Sequence, residues 1–304
     1  MYNRVLFIGS KESGFRVLTE MYHVSPQTLV GCVTVDDRDD TRSKLDCFRE
    51  FCSQNSIPLE ILSGRCDLTE AVQKYQPNLC IVMGWYYVIS EEILDSVDGG
   101  FIGIHNSLLP AHRGFAPVVW AMIAGEKETG FSVFSFDKNM DTGNLWYQGK
   151  VDIREDDYIC DVLNRIDEAI FNFFEQHYVD ILTGKIRPYA QSDEGISYGA
   201  RRTPEDGHVD WKAPASEIYD FIRAQSHPYP GAKARYQNEE ITIWESEVFP
   251  YPIQGTFGQV GLIEDDHVVI VCGQSSGLIL RKIGIGGCEV AVNEVIKGLS
   301  YKLS

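Results

Sequence analysis

The chain has 304 residues, 44% of them apolar, and a formal net charge of −17. That length allows two domains with ordinary cores, and no stretch approaches the uncharged apolar length a bilayer demands. So acidic a chain also argues against binding nucleic acid by neutralising its phosphates. The opening run from Met1 to Gly9 reads as a strand rather than a signal peptide, because it is short and no small-residue cleavage site follows. A soluble, cytoplasmic protein is therefore expected. Eight cysteines (32, 47, 52, 66, 80, 160, 272 and 288) contain no C-x-x-C pair, and several sit in apolar strand or helix contexts, as reduced thiols do. Cys47 and Cys52 lack further ligands nearby, so no metal site is expected.

In chain order, Arg4–Ile8 is an apolar run of strand length, Gly9–Gly14 a loop, and the following segment helical to about Tyr22. Leu29–Val35 reads as a buried strand, Leu45–Asn55 as a helix, Leu59–Leu62 as a short strand and Leu68–Tyr75 as a helix. Leu79–Met83 is a strand ending on Gly84, Glu91–Val97 a helix and Phe101–His105 a strand. Strands alternating with helices imply parallel pairing through right-handed crossovers. Pro117–Ala124 is helical, Gly130–Phe136 an alternating strand and Tyr158–Leu182 a long amphipathic helix. The expected fold class is α/β, with a doubly wound, mostly parallel Rossmann-like sheet in residues 1–188.

Residues 189–204 are polar and rich in Gly, Ser and Arg, and read as a linker. A smaller C-terminal β-rich, OB-like domain is expected over 205–304. It has a helix at Ala215–Ala224, a turn at Pro228–Gly231, and closely spaced strands at Ala232–Tyr236, Ile241–Glu247, Phe257–Glu264, His267–Cys272 and Gly277–Gly284. There are no internal repeats and no low-complexity segments.

Four segments carry chemistry. His105 ends an apolar run and is followed by the Ser107–Gly114 loop, and a lone carboxylate, Asp141, sits in Asn139–Gly143. A histidine where a strand gives way to a loop, with an aspartate on a second strand end, is how an α/β sheet presents acid–base groups. Taken singly, each has a plainer reading, as a buried histidine bonded to a carbonyl and as a turn. The segment Gly84-Trp-Tyr-Tyr-Val-Ile89 follows a buried strand, and aromatic side chains with exposed amides suit a flat heteroaromatic ring, or simply core. Backbone amides at Gly9–Gly14 suit an anion, with Ser10 and Lys11 as contacts, or serve structure only. The loop is not a dinucleotide fingerprint.

Joined, the pattern SLLPxxRG (107–114) followed by ETGxSxFxxDxxMDTGxL (128–145) resembles the folate-dependent formyltransferase family. That family includes methionyl-tRNA formyltransferase, glycinamide ribonucleotide formyltransferase, the sugar N-formyltransferases and a formyltetrahydrofolate hydrolase-like domain. The order of an α/β domain before a β barrel looks most like the tRNA and sugar enzymes. The resemblance implies 10-formyltetrahydrofolate as formyl donor and an amine as acceptor. It implies that His105 moves a proton or donates to the oxyanion, with Asp141 orienting or charging it. It places Met83, Gly84, Trp85, Tyr86, Val88 and Ile89 at the pterin edge, faced by Asn139 and Met140. Ser107 would contact substrate or hold its loop, and Arg113 would fix the loop. The family's asparagine two residues before the histidine is here Gly103. The amide of Asn106 is the candidate replacement, or it caps the turn.

Three functions compete. The first is transfer of a formyl group to a nucleotide-linked amino sugar (UDP- or dTDP-amino-dideoxyhexose) in surface-glycan biosynthesis. It requires no basic surface and is compatible with a homodimer. The second is hydrolysis of 10-formyltetrahydrofolate, which Gly103 and Val209-Asp-Trp211 favour. The third is a binding module without activity, for which Gly103 is the sole support. Formylation of methionyl-tRNA is disfavoured by charge: Glu205–Ser304 holds eight Lys and Arg against fourteen Asp and Glu, and the loop after the second strand reads Asp36-Asp-Arg-Asp-Asp40.

Overall fold

The computed structural model describes residues 1–304 apart from 65, 66, 238 and 265, so of the eight cysteines Cys66 lies outside the described residues. The chain groups into two compact units. The first comprises Met1–Gly114, Gly130–Val151 and Arg165–Tyr198, and the second Phe115–Thr129, Asp152–Asn164 and Gly199–Ser304. Of the stretch expected as a linker, 189–198 therefore groups with the first unit and 199–204 with the second.

The first unit is built on strands β1 (Val5–Gly9), β2 (Leu29–Val35), β3 (Leu59–Leu62), β4 (Leu79–Met83), β5 (Phe101–His105), β6 (Glu128–Ser135) and β7 (Leu145–Asp152), in the order β3-β2-β1-β4-β5-β6-β7. Pairing is parallel from β3 through β5 and antiparallel between β5 and β6. Every residue of β1 and β4 is buried, which is why these segments are apolar without alternation, as parallel strands covered on both faces must be. Helices α1 (Lys11–Val24), α2 (Leu45–Gln54), α3 (Thr69–Tyr75) and α4 (Glu91–Asp95) supply the crossovers. The α1 helix starts earlier than its sequence suggests, inside the expected Gly9–Gly14 loop. Added Cβ atoms at Gly9 and Gly14 would lie 2.3 and 2.8 Å from the Met83 carbonyl. These glycines thus let the first turn close down on the end of β4.

The second unit contains α5 (Pro117–Ile123), which packs on α7 (Ala215–Arg223), and the first residues of the long α6 (Ile159–Thr183). Along α6, Ile159, Val162, Ile166, Ile170, Phe174, Tyr178 and Ile181 are all buried, a stripe at helical spacing. Six antiparallel strands complete the unit. These are β8 (Ala232–Tyr236), β9 (Glu239–Phe249), β10 (Val260–Ile263), β11 (Val268–Val271), β12 (Gly277–Ile285) and β13 (Cys288–Ala291), with order β8-β9-β12-β11-β10 and β13 beside β12. A short helix α8 (Val292–Val295) follows. Residues 301–304 then lie across the two free edges. Ser304 exchanges backbone hydrogen bonds with Arg235 on β8, Leu303 donates to Gly258, and Val260 donates to Tyr301. The tail thereby links both edge strands, as the expected small barrel requires.

Arg223, only 1% exposed, is the most deeply buried cation of this unit. Its Nε donates to Asp220 at 2.7 Å, and its Nη1 donates to the carbonyls of Arg154 and Asp157 at 3.1 and 2.9 Å. One guanidinium thus fixes the 152–164 segment against α7. We expect Arg223→Ala to cost about 3 kcal/mol of stability, because Asp220 and two carbonyls lose their donor. Denaturant unfolding of the full chain measures this, and a loss below about 1 kcal/mol would contradict the role.

Candidate active site

His105 is the last residue of β5, and its side chain is 11% exposed. Its Nε2 lies 2.8 Å from the carbonyl oxygen of His112. A carbonyl only accepts, so Nε2 carries a proton, and in the neutral ring Nδ1 is left as the lone-pair nitrogen. Nδ1 faces the Asp141 carboxylate at 3.7 Å, and the ring stands edge-on to Phe134. Asp141 occupies the loop between β6 and β7 rather than a strand end, with φ of 56°, and its Oδ2 accepts the Gly114 N–H at 2.7 Å. A base with a fixed tautomer and a carboxylate beside its free nitrogen can take a proton from a nucleophile and return it.

The two loops that hold His105 are tied together by Gln191, which lies in the stretch expected as a linker. Its Nε2 donates to the carbonyls of Asp141 and Gly143, each at 2.8 Å, while its Oε1 accepts from Arg113 at 2.6 and 3.2 Å. Arg113 is 6% exposed, with Nη1 on the Tyr198 hydroxyl, so it fixes the loop as expected.

Beside this pair lies a groove of about 440 Å³ lined by Tyr87, Ile89, Phe134, Phe136, Met140 and Asp141, among others. Of the residues expected to hold a cofactor, Val88, Ile89, Asn139 and Met140 line it, whereas Met83, Gly84, Trp85 and Tyr86 do not. Met83 is buried, and Gly84 gives its carbonyl to Ser10 Oγ at 2.5 Å. Trp85 packs edge-on against Tyr87, and its indole N–H is buried without a partner among the described residues. Leu94, Phe134 and Phe136 line the groove unanticipated, because apolar residues carry no sign of which will face a cavity, whereas Tyr87 belongs to the expected aromatic segment 84–89. Phe136 also accounts for Gly103. A Cβ there would sit 2.0 Å from the Phe136 ring, so the ring occupies the place a longer side chain would need.

Three expected substrate contacts are turned inward. Ser10 is 2% exposed and spends its hydroxyl on the Gly84 carbonyl. Ser107 is 1% exposed and donates to the Ala111 carbonyl at 2.6 Å, a loop staple rather than a ligand contact. Lys11 donates to Asp37 at 2.5 Å and Asp40 at 2.8 Å, which neutralise it. Burial works to lower its pKa, but the two carboxylates outweigh burial and raise it. Asn106 is half-buried and makes no hydrogen bond among the described residues, so it does not cap the turn.

If Gln191 positions Asp141, Gln191→Ala lowers kcat by about 10-fold or more, with KM for the formyl donor changed far less. Gln191→Glu recovers little, because it loses both N–H donors. Steady-state kinetics read the split, and an unchanged kcat would contradict the positioning role.

Comparison with known proteins gives the family. Residues 53–176 match the formyl transferase family, and residues 201–300 match its C-terminal domain. Methionyl-tRNA formyltransferase of Caldanaerobacter subterraneus subsp. tengcongensis is 29% identical over 97% of this chain and 96% of its own length. The fold is that of an N-formyltransferase from Helicobacter canadensis, crystallised with folinic acid and dTDP-3-aminofucose. The TM-score is 0.69 at 17% identity, covering 91% of this chain and 98% of that one. It is also that of HypX from Aquifex aeolicus, crystallised with tetrahydrofolic acid, with TM-score 0.64 at 16% identity and 97% of this chain covered. This chain spans about half of HypX, 47% of its length. With both domains matched in order, the chain belongs to the formyl transferase family and is an enzyme of that class.

Proposed function

We propose that the enzyme moves a formyl group from 10-formyltetrahydrofolate to the amine of a nucleotide-linked amino sugar in the cytoplasm. The observation that carries the reading is the His105–Asp141 pair beside an aromatic groove of a size that suits a small heterocyclic ligand. Tyr87, Phe136 and Met140 would cover the pterin faces, and the unpartnered Trp85 N–H is a further donor near that wall. As the amine nitrogen bonds to the formyl carbon, its proton passes to His105 Nδ1, and Asp141 stabilises the imidazolium. The bond from carbon to N10 then breaks, and the same proton moves to the departing nitrogen. The Asn106 amide is the donor we assign to the tetrahedral oxyanion, since nothing else in the described structure engages it.

The choice of a sugar over tRNA rests on charge. Lys11, Arg38, Arg42 and Lys44, the cations around the loop after β2, are each paired with a carboxylate. Among the described residues, these cations are thus offset by carboxylates rather than free for a phosphate backbone. The curated relatives named as methionyl-tRNA formyltransferases make tRNA the second reading.

The test supplies 10-formyltetrahydrofolate with UDP- or dTDP-amino sugars, with methionyl-tRNA, or with no acceptor. N-formylated sugar is expected, whereas formyl-methionyl-tRNA or acceptor-independent formate would overturn the reading. His105→Ala should lower turnover by about 10²–10⁴-fold with folate binding retained. Asp141→Asn should raise the barrier by about 2–4 kcal/mol at saturating donor. An active His105→Ala enzyme would remove the mechanism.

A further inference from the structure

The second unit contains a cavity of about 360 Å³ that the chemistry above does not use. Its wall combines apolar surface from Val119, Pro204 and Pro230 with two cations, Arg202 and Lys233, and none of the described residues lining it is acidic. In a chain with 44 acidic residues against 27 basic ones, that selection of charge is notable for its direction.

Arg202 is the informative group. Its guanidinium lies over the rings of Trp120 and Phe221, at 5.1 and 5.7 Å, which fixes its position and partly compensates its lost hydration. Nη2 donates to the Asp206 carbonyl and to Gln225 Oε1 at 2.6 and 2.5 Å. Gln225, 6% exposed, is itself held in that orientation because its amide nitrogen donates to the Phe221 carbonyl. The N–H groups of Nε and Nη1 have no acceptor, and no carboxylate pairs with this guanidinium, among the described residues. The Asp206 carboxylate is spent on the Thr203 N–H and hydroxyl. The contrast within the unit is clear, since Arg223 and Arg281 both rest on carboxylates. Burial pushes the Arg202 pKa down, the sign of a cation short of counter-charge, and Asp206 offsets this only through space. Lys233 adds positive charge on the same wall, itself tied to Thr242 and 3.7 Å from Glu240.

We infer that this cavity is a binding site for a small oxyanion, a phosphate monoester or carboxylate, carried on an apolar body. The anionic group would accept charge-assisted single hydrogen bonds from the Nη1 or Nε N–H groups of Arg202, since Nη2, which both two-donor edges share, is spent on the protein. The apolar body would fill the space along Val119, Pro204 and Pro230. Neither His105 nor Asp141 takes part, so this site stands or falls apart from the formyl-transfer reading.

The test is calorimetric titration of the full-length protein with phenyl phosphate, benzoate and inorganic phosphate. Saturable binding of at least one phenyl probe is expected, tighter than that of inorganic phosphate. Arg202→Gln should weaken it by about tenfold or more, and Arg202→Lys should recover part of the loss. Gly207→Leu is a second, independent variant. A Cβ at 207 would be in ordinary contact with Lys233, Gln225 and the Gly231 carbonyl, so added atoms crowd the cavity while Arg202 is retained. If Arg202→Gln fails to fold, Gly207→Leu decides, and it should abolish binding. Absence of saturable binding with every probe would overturn the proposal. So would undiminished binding in both variants, or binding lost in His105→Ala, which would place the probe in the catalytic groove.

Discussion

The site rests on a single hydrogen bond, from His105 Nε2 to the His112 carbonyl. The two lie seven positions apart in the chain, and the loop between them returns the carbonyl to the ring. Because the acceptor is a backbone oxygen, the bond determines which nitrogen is the base. Asp141 then acts on the other nitrogen, and is itself held by the Gly114 N–H at the far end of the same loop. An imidazole can serve as a base only when its tautomer and plane are set before a ligand arrives, and here a main-chain carbonyl sets the tautomer of His105.

The surrounding shell extends that constraint outward. Gln191 spans Arg113 on one loop and the Asp141 and Gly143 carbonyls on the other, so neither loop can shift without breaking a bond of a buried group. Phe136 serves the groove and, by filling the space over Gly103, limits what can stand behind the histidine. The cations of the loop after β2 are used internally. Lys11 closes that loop onto the first helix through Asp37 and Asp40. Structural and functional charge are thus separated in this chain, which is why an unpaired Arg202 in the second unit carries information.

Much of the architecture was legible because the parallel strands are buried on both faces. Val5–Gly9 and Leu79–Met83 must be unbroken apolar runs, and they are. The edge strand Leu145–Asp152 was not legible, since Gln148, Gly149 and Lys150 interrupt its apolar pattern, as a sheet edge permits. His105 and Asp141 were readable from a dense motif, and the structure brings them together. Gln191 was not, because a glutamine 50 residues from Asp141 in a polar stretch announces no partner. The three expected contacts that are turned inward share one cause. Ser10, Ser107 and Lys11 have polar side chains near the site, but each found a local acceptor in the fold, and sequence spacing does not show acceptors.

The most direct measurement is the tautomer of His105, read by long-range proton–nitrogen correlation NMR of the protein without ligand. The structure predicts a protonated Nε2 and a lone pair on Nδ1 for the neutral ring, with the Nε2 proton protected from solvent exchange by the His112 carbonyl. A neutral ring protonated on Nδ1 would mean that the hydrogen bond organising the site is not formed, and would contradict the assignment of Nδ1 as the base.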